Sequence, residues 1–136
     1  MRTMNDLESD AAPLDERKPP GPLVGQAMRA LDGCTAENNA RDVVEMMDEM
    51  ELDFMPVVAD LNSRRVVGVV SRAGLENAIR VLGQSKALVK AAALIHLPLV
   101  EADVPLHALQ AYAGSATAYV VVDGHRLLGI YENVRR

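Results

Sequence analysis

Tryptophan is absent from this 136-residue sequence, and one phenylalanine and three tyrosines are its only large rings. That scarcity excludes a platform on which nucleic-acid bases stack, and it leaves the core to Val, Leu, Ile, Ala and Met. An excess of basic residues is missing too: 14 Lys and Arg stand against 19 Asp and Glu, a formal charge of −5. Proteins that track a phosphate backbone carry a basic face, so nucleic acid is not an expected partner. Cys34 is the single cysteine, which excludes an internal disulfide and a multi-cysteine zinc cage and fits a reducing cytoplasm. It reads as a small buried residue in preference to a reactive thiol. The longest apolar stretch, 91–100, is too short to cross a bilayer, and no apolar run of the signal-peptide kind opens the chain. A soluble, cytoplasmic protein without a membrane partner is the expectation. His96, His107 and His125 fall in separate segments without metal-ligand spacing, so no metal is expected. No arrangement of Ser or Cys with His and a carboxylate can be picked out by spacing, a triad being a matter of geometry and not of sequence order.

What the chain does contain is a repeated hairpin. Met55-Pro-Val-Val-Ala-Asp60 followed by Arg65-Val-Val-Gly-Val-Val-Ser71 returns as Ala118-Tyr-Val-Val-Val-Asp123 followed by Arg126-Leu-Leu-Gly-Ile-Tyr131. The copies lie roughly 61 to 66 residues apart, each preceded by a helical stretch, which implies two related units packed on each other with a functional groove between them. Neither unit is expected to be stable alone, because each is well below the size of a self-sufficient core.

Residues 1–22 are acidic and then Pro-rich and read as a flexible tail or arm, with Leu7 and Leu14 as its only apolar anchors. The first unit, 23–86, opens on Leu23 to Met28. A helix is predicted over 39–50, where Val43, Val44, Met47 and Met50 share one face and Asn38 or Asn39 supplies the cap. Met46, Met47, Met50 and Met55 read as core in preference to a flexible ligand surface. Strands over 55–59 and 65–70 follow, then Ser71 at a strand-to-helix junction. The next helix turns Leu75, Ala78, Ile79 and Leu82 inward and stops at Gly83. In the second unit, 87–136, Ala87-Leu-Val-Lys90 echoes Pro22-Leu-Val-Gly25, and Val100-Glu-Ala-Asp103 echoes Cys34-Thr-Ala-Glu37. A shorter helix begins near Pro105 with Leu106, Leu109 and Tyr112 inward. The last hairpin turns at Asp123-Gly124, which predicts a type I′ turn. Arg64, Arg65, Arg72 and Arg126 gather near turns, where they can attract phosphate or simply sit on the surface.

This order of helix, Pro-Val-Val strand, turn, apolar-Gly-apolar strand, Ser and helix resembles the cystathionine β-synthase (CBS) domain, two of which in tandem form a Bateman module. The likeness covers 23–136. It implies an α/β (α+β) fold of two pseudo-symmetric β-α-β-β-α units, with two small sheets, helices packed between them about a pseudo-twofold axis, and a homodimer. It also implies a regulatory module without catalysis that binds AMP, ADP, ATP, S-adenosylmethionine or a related adenosyl ligand in the inter-repeat cleft and signals to a protein partner.

The family pattern Gly-x-x-Thr/Ser-x-x-Asp sets a hydroxyl and a helix N-terminus against phosphate and an Asp against the ribose. Here Gly68 to Gly74 keeps Ser71 but has Gly74 at the Asp position. Gly129 to Arg135 has Glu132 at the hydroxyl position and Arg135 at the Asp position, and the chain ends before the helix that usually follows. By the resemblance, a ligand meets Cys34 and Thr35 at its base edge, Asp53, Phe54 and Pro56 along the wall, and Ser71 at the phosphate. Val100, Glu101, Ala118 and Arg135 are the counterparts in the second repeat. Ser71 is equally a plain helix cap. With both motifs altered, a ligand-free dimerisation scaffold is the alternative, and an enzyme built on Tyr131, Glu132 and Arg135 ranks last.

Overall fold

The computed structural model describes residues 21–132. The predicted tail and Arg135 thus lie, wholly or nearly so, outside the described residues. A helical turn α1 (Val24–Ala27) and a two-residue strand β1 (Arg29–Ala30) lead to α2 (Ala40–Met50). Asn39 starts α2 by accepting a hydrogen bond from Asp42 N at 3.1 Å, and Val43, Val44 and Met47 on its inner face are buried. Strands β2 (Phe54–Val58) and β3 (Val66–Ser71) form the first hairpin, followed by α3 (Arg72–Leu82), which Gly83 ends at φ 92°. After a 3-10 turn (Val89–Ala91) come β4 (Leu99–Glu101), a second 3-10 turn (Leu106–Ala108), α4 (Leu109–Ala113), β5 (Ala118–Asp123) and β6 (Arg126–Glu132).

The two hairpins are built alike down to their irregularities. Val57 pairs with Gly68 and Val121 with Gly129, and in both the next pair skips a residue: Val58 with Val66, Val122 with Leu127. A bulge is thus left at Val67 in one and Leu128 in the other. On the outer side of each hairpin a parallel partner adds on, Cys34 beside Val57 and Val100 beside Val121.

On the other side of each hairpin the halves exchange. β1 pairs with β6, Arg29 with Ile130 and Ala30 with Gly129, while Ile95 bridges Val69 of β3. The turns at each unit's start cross over as well. Val24 N and Gly25 N donate to Val104 O and Ala102 O (both 2.9 Å); Val89 N and Lys90 N donate to Asn38 O (2.8 Å) and Ala36 O (3.0 Å). These are the two pairs of echoed segments in the sequence. Accordingly Val24 is buried among Val100, Val104, Leu109, Tyr119 and Val121, and Ala87 and Val89 among the side chains of α2 and α3.

Several expectations are corrected. The sheets are not separated by helices: Val58, Val69, Val120, Val122 and Leu127 form one cluster in which the two hairpins meet. β5 is buried at every position from Ala118 to Val122, and a strand apolar on both faces can pack on two sides at once. Tyr112 points outward, 70 % exposed: α4 spans only five residues and buries Leu109 alone among them. Leu82 is 48 % exposed, the buried face of α3 ending with Ala78 and the partly buried Ile79. The second hairpin pairs Asp123 with Arg126, so its loop is Gly124-His125; Gly124 alone takes a positive φ (67°), which fits a type II′ turn and not type I′.

Candidate functional site

Ser71 ends β3 and caps α3, its Oγ accepting from Gly74 N at 3.0 Å. The hydroxyl is therefore already bonded to the helix N-terminus that a phosphate would approach. Replacing Ser71 by alanine is expected to destabilise the protein by about 1 kcal/mol in urea unfolding, the usual effect of losing a cap; an unchanged midpoint would show that the bond contributes nothing. Next to it, Arg72 is engaged by the protein itself. Its guanidinium pairs with Asp48, lies 3.9 Å from Asp53 and donates to Leu52 O at 3.0 Å, while its backbone N–H donates to Asp53 O at 2.9 Å.

The second repeat reaches into the same region. Phe54 faces Ser71 across the first hairpin and Ala118 faces Glu132 across the second, so Glu132 holds the place that Ser71 holds in the first. The Glu132 carboxylate crosses between repeats and accepts from Asp53 N at 3.1 Å. One main-chain donor of the cleft is thus satisfied by the protein itself, and by a group that repels anions.

Cys34 is buried, and both of its main-chain groups are engaged with β2: its N–H donates to Pro56 O (3.0 Å) and its carbonyl accepts from Val58 N (2.8 Å). Its thiol lies 3.7 Å from Pro56 O, and burial pushes its pKa up to about 12, which fits a packed residue and not a nucleophile. Thr35 N donates to Asn38 Oδ1 at 2.9 Å, and Phe54 is half-buried between two clusters. In the second repeat Val100 and Ala118 are buried, and Glu101 accepts from Gly124 N at 3.1 Å. Tyr131 packs on Tyr119, ring centroids 6.5 Å apart.

Asp53, Phe54, Ser71 and Glu132 are thus brought together at one end of the hairpins, while Val100 and Glu101 border a separate hollow beside Tyr112. At the turn end lies a larger hollow of about 550 Å³ that no sequence motif announced. It opens between one flank of α2 (the exposed Met46 and the half-buried Met50), the segment after β1, and Leu61, Arg64 and Arg126 of the two hairpin turns. The only trace of it in the sequence is the gathering of arginines near turns.

Among the described residues no helix is long and apolar enough to cross a membrane, and no three His, Cys, Asp or Glu converge as a metal site. No family model matches the chain, and no curated protein matches it. Solved structures do. A putative acetoin utilization protein (AcuB) from Vibrio cholerae superposes with a TM-score of 0.63 at 16% identity, covering 83% of this chain and 85% of that one. The CBS-pair protein CBSX2 from Arabidopsis thaliana gives 0.60 at 20% identity, covering 83% and 89%. The CBS domain pair of protein MJ0100, solved with 5′-methylthioadenosine and S-adenosyl-L-methionine, gives 0.57 at 17%, covering 82% and 89%. With its doubled hairpins, shared bulges and exchanged first strands, the chain has the fold of a tandem CBS-domain pair.

Proposed function

We infer that this chain is a non-catalytic regulatory module that takes an adenosine nucleotide or related adenosyl compound between its repeats and reports the occupancy to a protein partner. The reading treats 23–86 and 87–136 as the two repeats and expects a homodimer in the cytoplasm. The observation that carries it is the meeting of Asp53 and Glu132 across the repeats. A ligand entering there has to displace the Glu132 carboxylate, so binding breaks a contact between the repeats. Structural neighbours solved with S-adenosyl-L-methionine and, for CBSX2, with AMP support the ligand class.

Binding is expected to be weak. Gly74 offers no carboxylate to the ribose, and a charge-assisted hydrogen bond contributes about 1.5 to 3 kcal/mol, so its loss lowers affinity roughly 10- to 100-fold. Calorimetric titration with AMP, ADP, ATP, S-adenosylmethionine and NADH tests this. Glu132→Gln is expected to tighten the nucleotides, since it removes a negative charge and keeps an acceptor for Asp53 N. Silence from all five ligands with both proteins would favour the second reading, a ligand-free scaffold. That reading draws on the cleft donors already being engaged, Gly74 N by Ser71 and Asp53 N by Glu132.

A further inference from the structure

We propose that the hollow at the turn end of the hairpins is a binding site for a small amphiphilic anion, a phosphate monoester on an apolar body, whose head is held jointly by Arg64 and Arg126. The site is separate from the cleft at Ser71 and Glu132 and does not depend on it.

Size and lining come first. About 550 Å³ is within the usual range for a small-molecule site, and Met46, Met50 and Leu61 line it on the apolar side beside Arg64 and Arg126. Arg64 is poorly used by the protein itself. Its side chain is only 20 % exposed, its Nη2 donates to Leu31 O at 2.8 Å and lies 3.3 Å from Asp32 Oδ1, yet its Nε is buried without a hydrogen-bond partner among the described residues. The Nε has no open surface, so an anion in the hollow would meet the exposed part of the Arg64 guanidinium, where a charge-assisted hydrogen bond is strong. Residue 64 also adopts a left-handed conformation (φ 54°) that ordinarily favours Gly or Asn, so an arginine there is held against its backbone preference. Arg126 is exposed and engages Asn62 O through Nη1 at 3.1 Å, which leaves other donors of its fork available to a ligand.

Position is the second argument. The two arginines come from different repeats, and the turns that carry them are tied by the Arg65 to Arg126 bridge and by Leu127 N donating to Arg64 O at 2.8 Å. An anion between them bridges the repeats at the end opposite Glu132. Two arginines stand here, whereas at the cleft end Arg72 is already paired with Asp48 and Glu132 presents a carboxylate. Asp32 is the counterweight: 85 % exposed, it faces Arg64 and competes with an incoming anion.

Calorimetric titration of the full chain with 1-naphthyl phosphate, with 1-naphthol as the head-free control, tests the proposal. The phosphate is expected to bind at least about 10-fold more tightly than the naphthol. Arg126→Ala should weaken it about 10-fold, Asp32→Asn should tighten it several-fold, and Met46→Glu, a change at a partly exposed position, should abolish it. Ser71→Ala should leave it unchanged. Equal affinities for wild type, Arg126→Ala and Asp32→Asn would overturn the proposal, as would the absence of heat from wild type and Asp32→Asn at about 1 mM ligand. AMP, run in parallel, separates the two sites: binding that fails in Ser71→Ala but survives Arg126→Ala belongs to the cleft.

Discussion

Replacing Gly129 by valine should destabilise this protein by about 3 kcal/mol or more and release the first strand from the second sheet. A Cβ at residue 129 would run into Arg29 O, with Met28 Sδ at 2.9 Å and Arg29 C at 3.0 Å. The obstacle is main chain, and it is the main chain of β1, which hydrogen-bonds to β6 at this point through the Ala30 to Gly129 pair. Nothing flexible can give way. The strand must leave, and with it goes the exchange through which the first repeat completes the sheet of the second. A fall in melting temperature of roughly 10 °C or more is expected for a domain of this size. Amide exchange should speed up at Leu31, whose N–H donates to Leu128 O at 3.1 Å. A melting temperature within a degree or two of wild type would mean that β1 is not needed.

The pseudo-equivalent Gly68 offers a built-in control. A Cβ there would meet the side chain of Leu94, at 3.0 Å from Cδ1, and Leu94 is 48 % exposed and free to change rotamer. Gly68→Ala is therefore expected to be mild where Gly129→Ala, like Gly129→Val, is severe, although the two glycines occupy the same place in the repeated hairpin. The difference comes from the crossing segment: β1 makes a two-residue pairing with β6, while its counterpart pairs with β3 through the single bridge of Ile95 to Val69.

The duplication was legible because it rests on local chemistry. Val-Val-Gly and Leu-Leu-Gly fix a strand, a bulge and a close approach, and the echoes of Pro22 to Gly25 in Ala87 to Lys90 and of Cys34 to Glu37 in Val100 to Asp103 mark the segments that grip each other in space. The crossing itself was not legible, since β1 is two exposed residues with no alternation to reveal a strand. Tyr112 lies in a five-residue helix, too short for periodicity to fix which residues face inward. At the candidate site the residues that a motif can name, Ser71 and Glu132, were found, and their present partners, Gly74 N and Asp53 N, were not. The hollow of Arg64 and Arg126 lay outside any motif, because two turns from different repeats meet there only after folding.

Cys34 gives the protein a steep alkaline limit. Its thiol pKa, raised by burial to about 12, compares with about 8.5 to 9 for a thiol in water, so above about pH 9 the unfolded chain loses a proton that the folded chain keeps. Fewer protons on the unfolded state means that stability falls as pH rises, by about 1.4 kcal/mol per pH unit from this group, with the full contribution present below about pH 9. Near pH 11 the loss is about 3 kcal/mol. Other groups titrate in this range, so the measurement is a difference: urea unfolding of wild type and Cys34→Ala at pH 8 and at about pH 11. Wild type should lose more stability than the variant by that amount. The same burial makes the thiol a reporter of unfolding. At pH 8 a thiol reagent should modify it only as fast as the molecule opens, because both main-chain groups of Cys34 are tied to β2 and must separate from Pro56 and Val58 before the sulfur is reached. Since that parallel pairing holds the first hairpin to the chain that precedes α2, destabilising the crossed strand with Gly129→Val should accelerate labelling at Cys34. Rapid labelling of the native wild type would place the sulfur at the surface and remove the alkaline effect with it.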